Sequence, residues 1–222
     1  MLTMLEEVVL LAVDEKTGTL RSTREFGTAY ALVGAVFFDL ALARKIDTDT
    51  EQIQILDASP TGNPTLDRVL TEMRGRPEVK TVRNWIEALF QSKDDLEGQA
   101  LASLIERGIL LHEKTKRLWI IDVERFPLVN NQPQEHVKLR LTRAILGDGI
   151  PETRDIMLVS LAEPCGLLGF FLTDMQRAVR GERIRMLCHL ETISRKVAEA
   201  IAALDASLRQ GGSTSNAAQS LR

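Results

Sequence analysis

Apolar positions recur at helical spacing through most of the chain and alternate in only a few short stretches. In Leu2 to Val13, residues Leu5, Val8, Val9, Ala12 and Val13 share a face, with Thr3 at the cap position and Glu6 three residues on. Phe26 to Ala43 is almost continuously apolar. Its length approaches that of a membrane span, but Asp39 would be costly in lipid and the flanks are hydrophilic, so it predicts a buried core helix. Its small residues Ala29, Ala31, Gly34 and Ala35 would let neighbouring helices approach closely. Ile46–Thr48 and Gln52–Leu56 alternate polar with apolar and predict two short strands joined by a tight turn. Asn63 followed by Pro64 opens a helix carrying Leu66, Val69, Leu70 and Met73. Val79–Phe90 and Leu96–Arg107 predict two more, the second capped by Asp94-Asp95 and ended by Gly108. Ile109–Glu113 and Leu118–Asp122, on either side of the charged turn Lys114-Thr115-Lys116-Arg117, predict a β-hairpin. Helices over 134–146 and 152–162 follow, then one long amphipathic helix over 174–208, bent near Gly181. Residues 209–222 are low in complexity and predict a disordered tail. The fold class is mainly α, a single domain over residues 1–208 with a β-hairpin and a second short strand pair.

Composition narrows the function more than the fold. A net charge of -3 disfavours a dedicated nucleic-acid binder. Cys165 and Cys188 show no disulfide framework, and the start, Met1 to Glu7, is acidic where a signal peptide is basic. Both point to a reducing, cytoplasmic location. The three histidines form no HExxH and there is no CxxC, so no metal site is predicted. No P-loop, GxGxxG or GxSxG appears, so no cofactor and no catalytic residue is assigned. Ser103 and Ser160 read as packing, Glu6-Glu7 as partners of a helix dipole, and Trp85 as core. Arg177, Arg180 and Arg183 recur every three residues, either as a solvated face or as a phosphate- or lipid-binding stripe.

Six segments then carry a resemblance: LTMLEEVVLLAV (2–13), FFDLALARKI (37–46), DASPTGNPTLDRVL (57–70), TVRNWIEALF (81–90), LIERGILLHEK (104–114) and FPLVNN (126–131). In this order and spacing the chain resembles the Golgi phosphoprotein 3 family over about residues 2–172. The resemblance implies a helical fold with a protruding hairpin. It also implies a non-enzymatic, peripheral membrane adaptor that binds phosphatidylinositol 4-phosphate or another anionic phospholipid, takes membrane-protein tails, and self-associates through the hairpin. By this resemblance the hairpin is Ile109–Val123, with Lys114, Lys116, Arg117 and Trp119 at or near its tip as membrane or self-contacts. The family's head-group ligands, a tryptophan and three basic residues, fall in an ungapped alignment on Arg24, Val33, Asp94 and Glu97. Two carboxylates repel a phosphate where two cations would hold it. Positive charge nearby comes from Arg21, Arg24 and Lys93, the lipid-binding candidates. The alternative is a soluble cytoplasmic interaction protein that has lost phosphoinositide binding. The long charged amino-terminal extension of eukaryotic members is missing, so a bacterial-type member is expected.

Overall fold

In the computed structural model the described residues are 1–21, 27–48, 52–117, 121–190 and 192–217, with backbone alone for 115–117, 121–123, 205 and 208–217. All nine residues of α1 (Met4–Ala12) are buried. A helix buried this deeply leaves polar backbone groups at both ends that water cannot reach. At the amino end Thr3 and Glu6 form the expected capping box. The Asp39 carboxylate, near the end of α2 (Gly27–Leu42), accepts from Met4 N at 2.9 Å and Leu5 N at 3.3 Å. At the carboxyl end the wholly buried Gln134 donates through Nε2 to Leu10 O at 2.5 Å and Val13 O at 2.8 Å. The acid that argues against a membrane span is thus a cap for the central helix.

After α2 come β1 (Ile46–Thr48) and β2 (Ile53–Ile55), antiparallel with Ile46 opposite Ile55. Their connection falls on 49–51, outside the described residues. Asn63 caps α3 (Pro64–Gly75) by accepting from Thr65 N and Leu66 N, as its sequence predicts. Thr81 caps α4 (Val82–Phe90), and α5 (Lys93–Glu106) follows. Here the prediction is corrected. Asp94 and Asp95 lie inside the first turn of α5, and Ser92 holds the cap position without a side-chain bond. Their charges still face the positive helix end.

β3 (Glu113–Arg117) and β4 (Ile121–Arg125) form the hairpin, pairing Glu113 with Arg125 and Arg117 with Ile121. The hairpin exists, but not in the predicted register. The charged run placed in the turn is a strand. The apolar run before it instead ties to the body, where Leu110 bridges to Leu128 and Leu111 N donates to Pro127 O at 2.9 Å. β3 and β4 pack mainly on each other, so the arm protrudes.

α6 (Gln132–Leu146) and α7 (Thr153–Ala162) lead into a short 3-10 turn, Leu167–Phe170. The long helix predicted beyond it divides at the predicted Gly181 bend into α8 (Asp174–Val179) and α9 (Gly181–Leu190), and α10 (Thr192–Ala217) follows beyond position 191, which lies outside the described residues. The backbone of α10 runs past position 208, the domain boundary set by composition. At the crossing of α2 with α7 and α10, a Cβ added to Gly34 would lie 2.5 Å from Leu161 Cδ1 and 3.1 Å from Val197 Cγ1. The small residue is what lets these helices meet.

Glu6 and Glu7 do more than serve the dipole of α1. Both are buried. Glu6 pairs with Arg107 at 3.0 Å and accepts from Ser103 at 2.6 Å. Glu7 pairs with Arg140 at 3.0 Å and Arg154 at 3.3 Å, and Arg140 also reaches Asp155 at 2.9 Å. Removing one partner of such a buried network would strand a charge. Among the described residues no helix is long and apolar enough to cross a membrane.

Candidate functional site

The lipid-binding candidates that can be placed border one end of α2. Arg21 follows the bridge between Val13 and Leu20, and its N donates to Ala12 O at 2.8 Å. Its carbonyl accepts from Thr28 Oγ1, in the first turn of α2, at 3.0 Å. Its guanidinium lies 4.0 Å from the Phe170 ring centroid, reaches Leu11 O at 3.4 Å, and stands 3.8 Å from Asp14. Backbone and side-chain bonds to the Asp14 carboxylate, led by Thr17 N, and the nearby Arg21 charge hold its pKa below the usual value. Arg21 is therefore largely committed to the negative end of α1 and to an aromatic face.

Lys93 opens α5, with Nζ 5.3 Å from the Phe90 ring centroid. Phe90 packs at a tilt on Tyr30, in the first turn of α2, with centroids 4.8 Å apart and the ring planes at 35°. The Arg21 backbone and, through Phe90 and Tyr30, Lys93 thus both border the amino end of α2, where backbone N–H groups and the helix dipole favour an anion, while the Arg21 guanidinium turns to the carboxyl end of α1. Arg24, the third candidate, lies outside the described residues.

Acids oppose the arrangement. Lys93 Nζ is 3.5 Å from Asp94, whose side chain is exposed. Burial, and then the Asp94 charge, push the pKa of the half-buried Glu97 up, while Lys93 pulls it down. Val33, on the position aligned with a head-group arginine, is wholly buried in the core and offers no surface contact.

The hairpin candidates divide. Lys114 sits opposite Glu124, one pair from the foot of the arm and away from its tip, and pairs with it at 3.1 Å. That contact, first among several, holds the Glu124 carboxyl below its usual pKa. Beside it His112 stacks on Phe126, with centroids 5.2 Å apart, and its Nε2 lies 3.7 Å from Glu124. The backbones of Lys116 and Arg117 lie towards the far end of β3. Their side chains, and all of Trp119, fall outside the described residues.

The arginine stripe resolves into local anchors. Arg177 pairs with Asp174. Arg180 donates to Leu146 O at 2.6 Å and meets Asp148 at 3.3 Å. Arg183 donates to Ala144 O at 2.9 Å and Gly149 O at 2.5 Å. These bonds favour the structural reading of the stripe over the phosphate-binding one. Ser160 donates to Met157 O within its own helix, and Ser103 serves Glu6, so both belong to packing. Among the described residues no group of three or more His, Cys, Asp or Glu side chains could hold a metal ion. Sequence reading missed Asp39 and Gln134 as the groups that fix α1. The one available signal was an acid near the end of an otherwise apolar run.

Fold and site together define a helical scaffold with a protruding hairpin, whose candidate residues are surface contacts on one helix end and one arm. Residues 4–204 match the family model Golgi phosphoprotein 3 (GPP34), and the chain belongs to that family. It is 28% identical over 218 residues to vacuolar protein sorting-associated protein 74 of Eremothecium gossypii, covering 81% of this chain and 65% of the relative. The protein of the same name from Schizosaccharomyces pombe is 25% identical over 166 residues, covering 65% of this chain and 48% of the relative. The chain thus spans 65% and 48% of the lengths of these two relatives.

Proposed function

We propose that the chain is a non-enzymatic adaptor that works peripherally at a cytoplasmic membrane face, contacting anionic lipid through the amino end of α2 and the hairpin arm. What supports this reading is that the Arg21 carbonyl meets Thr28 in the first turn of α2 and that Lys93 lies over Phe90, which packs on Tyr30 of the same turn, within a protein of this family. The relatives' names, which refer to vacuolar protein sorting, support a trafficking role. Phosphatidylinositol 4-phosphate is the specific lipid that the family likeness suggests. Several weak contacts, at the helix end and along the arm, would add through avidity. The partners are anionic phospholipid, a membrane-protein tail, or a second hairpin.

A second reading has its own observation. Asp94 and Glu97 beside Lys93, with Val33 buried, favour a soluble interaction protein without phosphoinositide binding. Vesicle co-sedimentation separates the two, using neutral, phosphatidylserine-containing and phosphatidylinositol 4-phosphate-containing vesicles at low and near-physiological salt. The adaptor reading expects binding to anionic vesicles that weakens with salt. It also expects further weakening in Lys93→Glu and in the double variant Arg117→Ala with Trp119→Ala. Indifference to every anionic vesicle sinks it in favour of the soluble protein.

A further inference from the structure

The protruding arm stands on two legs anchored to different elements. On the β3 side the chain leaves α5, and Ile109 N and Leu110 N both donate to Leu104 O, at 2.9 and 3.3 Å. On the β4 side Phe126, itself buried, donates its N–H to Gly18 O at 2.6 Å. Gly18 belongs to the turn that joins α1 to Arg21, far upstream in the sequence. The legs are held to each other by the Leu110–Leu128 bridge and by Leu111 N, which donates to Pro127 O. Beyond them β3 and β4 pack mainly on each other, so the arm takes its direction from these two anchors.

The anchoring turn is braced from within and from outside. Asp14 Oδ1 accepts from Lys16 N at 3.0 Å, Thr17 N at 2.9 Å and Thr17 Oγ1 at 3.0 Å. Gly18 N donates to Asp14 O, and Asp14 N to Thr19 O, both at 2.9 Å. Lys138 of α6 pairs with Glu15, and the Arg21 guanidinium stands 3.8 Å from Asp14. Lys16 and Thr17 are exposed, yet Gly18 beside them is buried. Its φ of 67° favours glycine. Independently, a Cβ placed on it would lie 2.8 Å from Pro127 N and 3.0 Å from Pro127 Cα. Those are main-chain atoms of the β4 leg, which cannot turn aside as a side chain can. A turn that served only to reverse the chain would need the dihedral angle and not the close approach. The same segment continues through the Val13–Leu20 bridge to Arg21, whose carbonyl meets Thr28 at the amino end of α2.

We propose that the Asp14–Gly18 turn is a bracket that aims the arm, with Gly18 as its positioning residue, and so holds the arm at a fixed separation from the amino end of α2. The aim stands on this geometry, and its use at a membrane rests on the adaptor reading above. Two contacts held at a fixed separation raise the effective concentration of the second once the first is made. An arm free to swing would be correctly placed for only a fraction of the time, and the apparent affinity would fall by that fraction.

Pulsed electron paramagnetic resonance on the full chain tests the bracket. Spin labels go on Lys116→Cys in the arm and on His136→Cys, at an exposed position of α6, in a Cys188→Ser background; Cys165 is wholly buried. The expected result is one narrow distance, which Gly18→Ala broadens or displaces. A cooperative melt and unchanged fluorescence from the buried Trp85 show that the body is still folded. Asp14→Ala removes the inner bonds of the turn without adding a Cβ at position 18, and broadens the distance less. It decides the matter if Gly18→Ala fails to fold. A distance already broad in the unaltered chain overturns the proposal, as does one that neither variant changes. Where the chain binds anionic vesicles, Gly18→Ala weakens binding about fivefold with every contact residue in place. Added to Arg117→Ala with Trp119→Ala, it causes no further loss. A loosened arm that binds as tightly as the unaltered chain overturns the fixed two-point contact. A chain that binds no vesicle sinks the adaptor reading alone, since the measured distances still score the bracket.

Discussion

Replacing Gln134 with leucine tests whether the buried central helix depends on one distant amide. Asp14 N donates to Thr19 O at 2.9 Å and does not return to Leu10 O, so α1 needs an outside donor there. Gln134 Nε2 supplies it, and supplies Val13 O as well, from a residue with no solvent exposure. Leucine keeps the approximate shape but strands both carbonyls. Each stranded group costs roughly 1–3 kcal/mol, and the gain from an apolar side chain offsets about half of the total. The expected net loss is about 2 kcal/mol, or a melting temperature lower by about 4–8 °C for a chain of this size. Gln134→Glu should also destabilise, by about 2–4 kcal/mol, because one carboxylate oxygen would face the two carbonyls at the negative helix end, while Lys138 Nζ, which donates to Gln134 Oε1 at 3.0 Å, answers part of its charge. Denaturant unfolding followed by circular dichroism, with the buried Trp85 as a second probe, measures both changes. If either Gln134→Leu or Gln134→Glu costs less than about 0.5 kcal/mol at unchanged m, the reasoning about α1 is wrong.

Three further outcomes follow from the core. Burial pushes the Asp39 pKa up to about 6, against the bonds from Met4 N and Leu5 N that lower it. A folded pKa above the unfolded one means that the stability from this group is full below about pH 4 and is lost as pH rises through 6. The stability of the wild type relative to Asp39→Asn should therefore fall by on the order of 2–3 kcal/mol between pH 4 and 7, and a difference that is flat with pH contradicts this. Gly34→Val should destabilise by about 2 kcal/mol or more, because Leu161 and Val197 have no exposure and no room to yield; an unchanged melt would show a looser crossing. Burial pushes the Cys188 thiol up to about 11, so a thiol reagent at pH 8 should label the native chain about a hundredfold more slowly than the unfolded one. Labelling at equal rates would place that thiol in water.

Local signals were the legible ones. Thr3 with Glu6, and Asn63 with Pro64, state their helix starts within four residues, and both caps are present. Where a reading depended on contacts far along the chain it faltered. Glu6 and Glu7 looked like dipole partners because Arg107, Arg140 and Arg154 are about a hundred or more residues away in sequence. The hairpin slipped because Ile109 to Leu111 has the stronger strand propensity, yet that run pairs with the body beside Leu128. The protruding arm is built from the polar Glu113–Arg117, whose strand character comes from its partner β4. The break between α8 and α9 falls at Gly181, where the sequence predicts a bend. It is held by Arg180 and Arg183 reaching carbonyls of the α6–α7 region, which no periodicity reports.

The same distinction bears on lipid binding. A cation counts toward a phosphate site only to the extent that its own neighbours leave its charge available. Arg21 faces Asp14 and the carbonyl end of α1, and Lys93 faces Asp94 with Glu97 close by. The helix end therefore carries two cations whose charge is already partly answered. Substituting either alone should change vesicle binding only modestly. Removing the opposing acids should strengthen it: Asp94→Asn with Glu97→Gln is expected to raise affinity for anionic vesicles about tenfold at low salt, and less at high salt. If that double variant binds no better than the unaltered chain, the amino end of α2 is not the lipid contact, and the hairpin alone remains as the membrane-facing element.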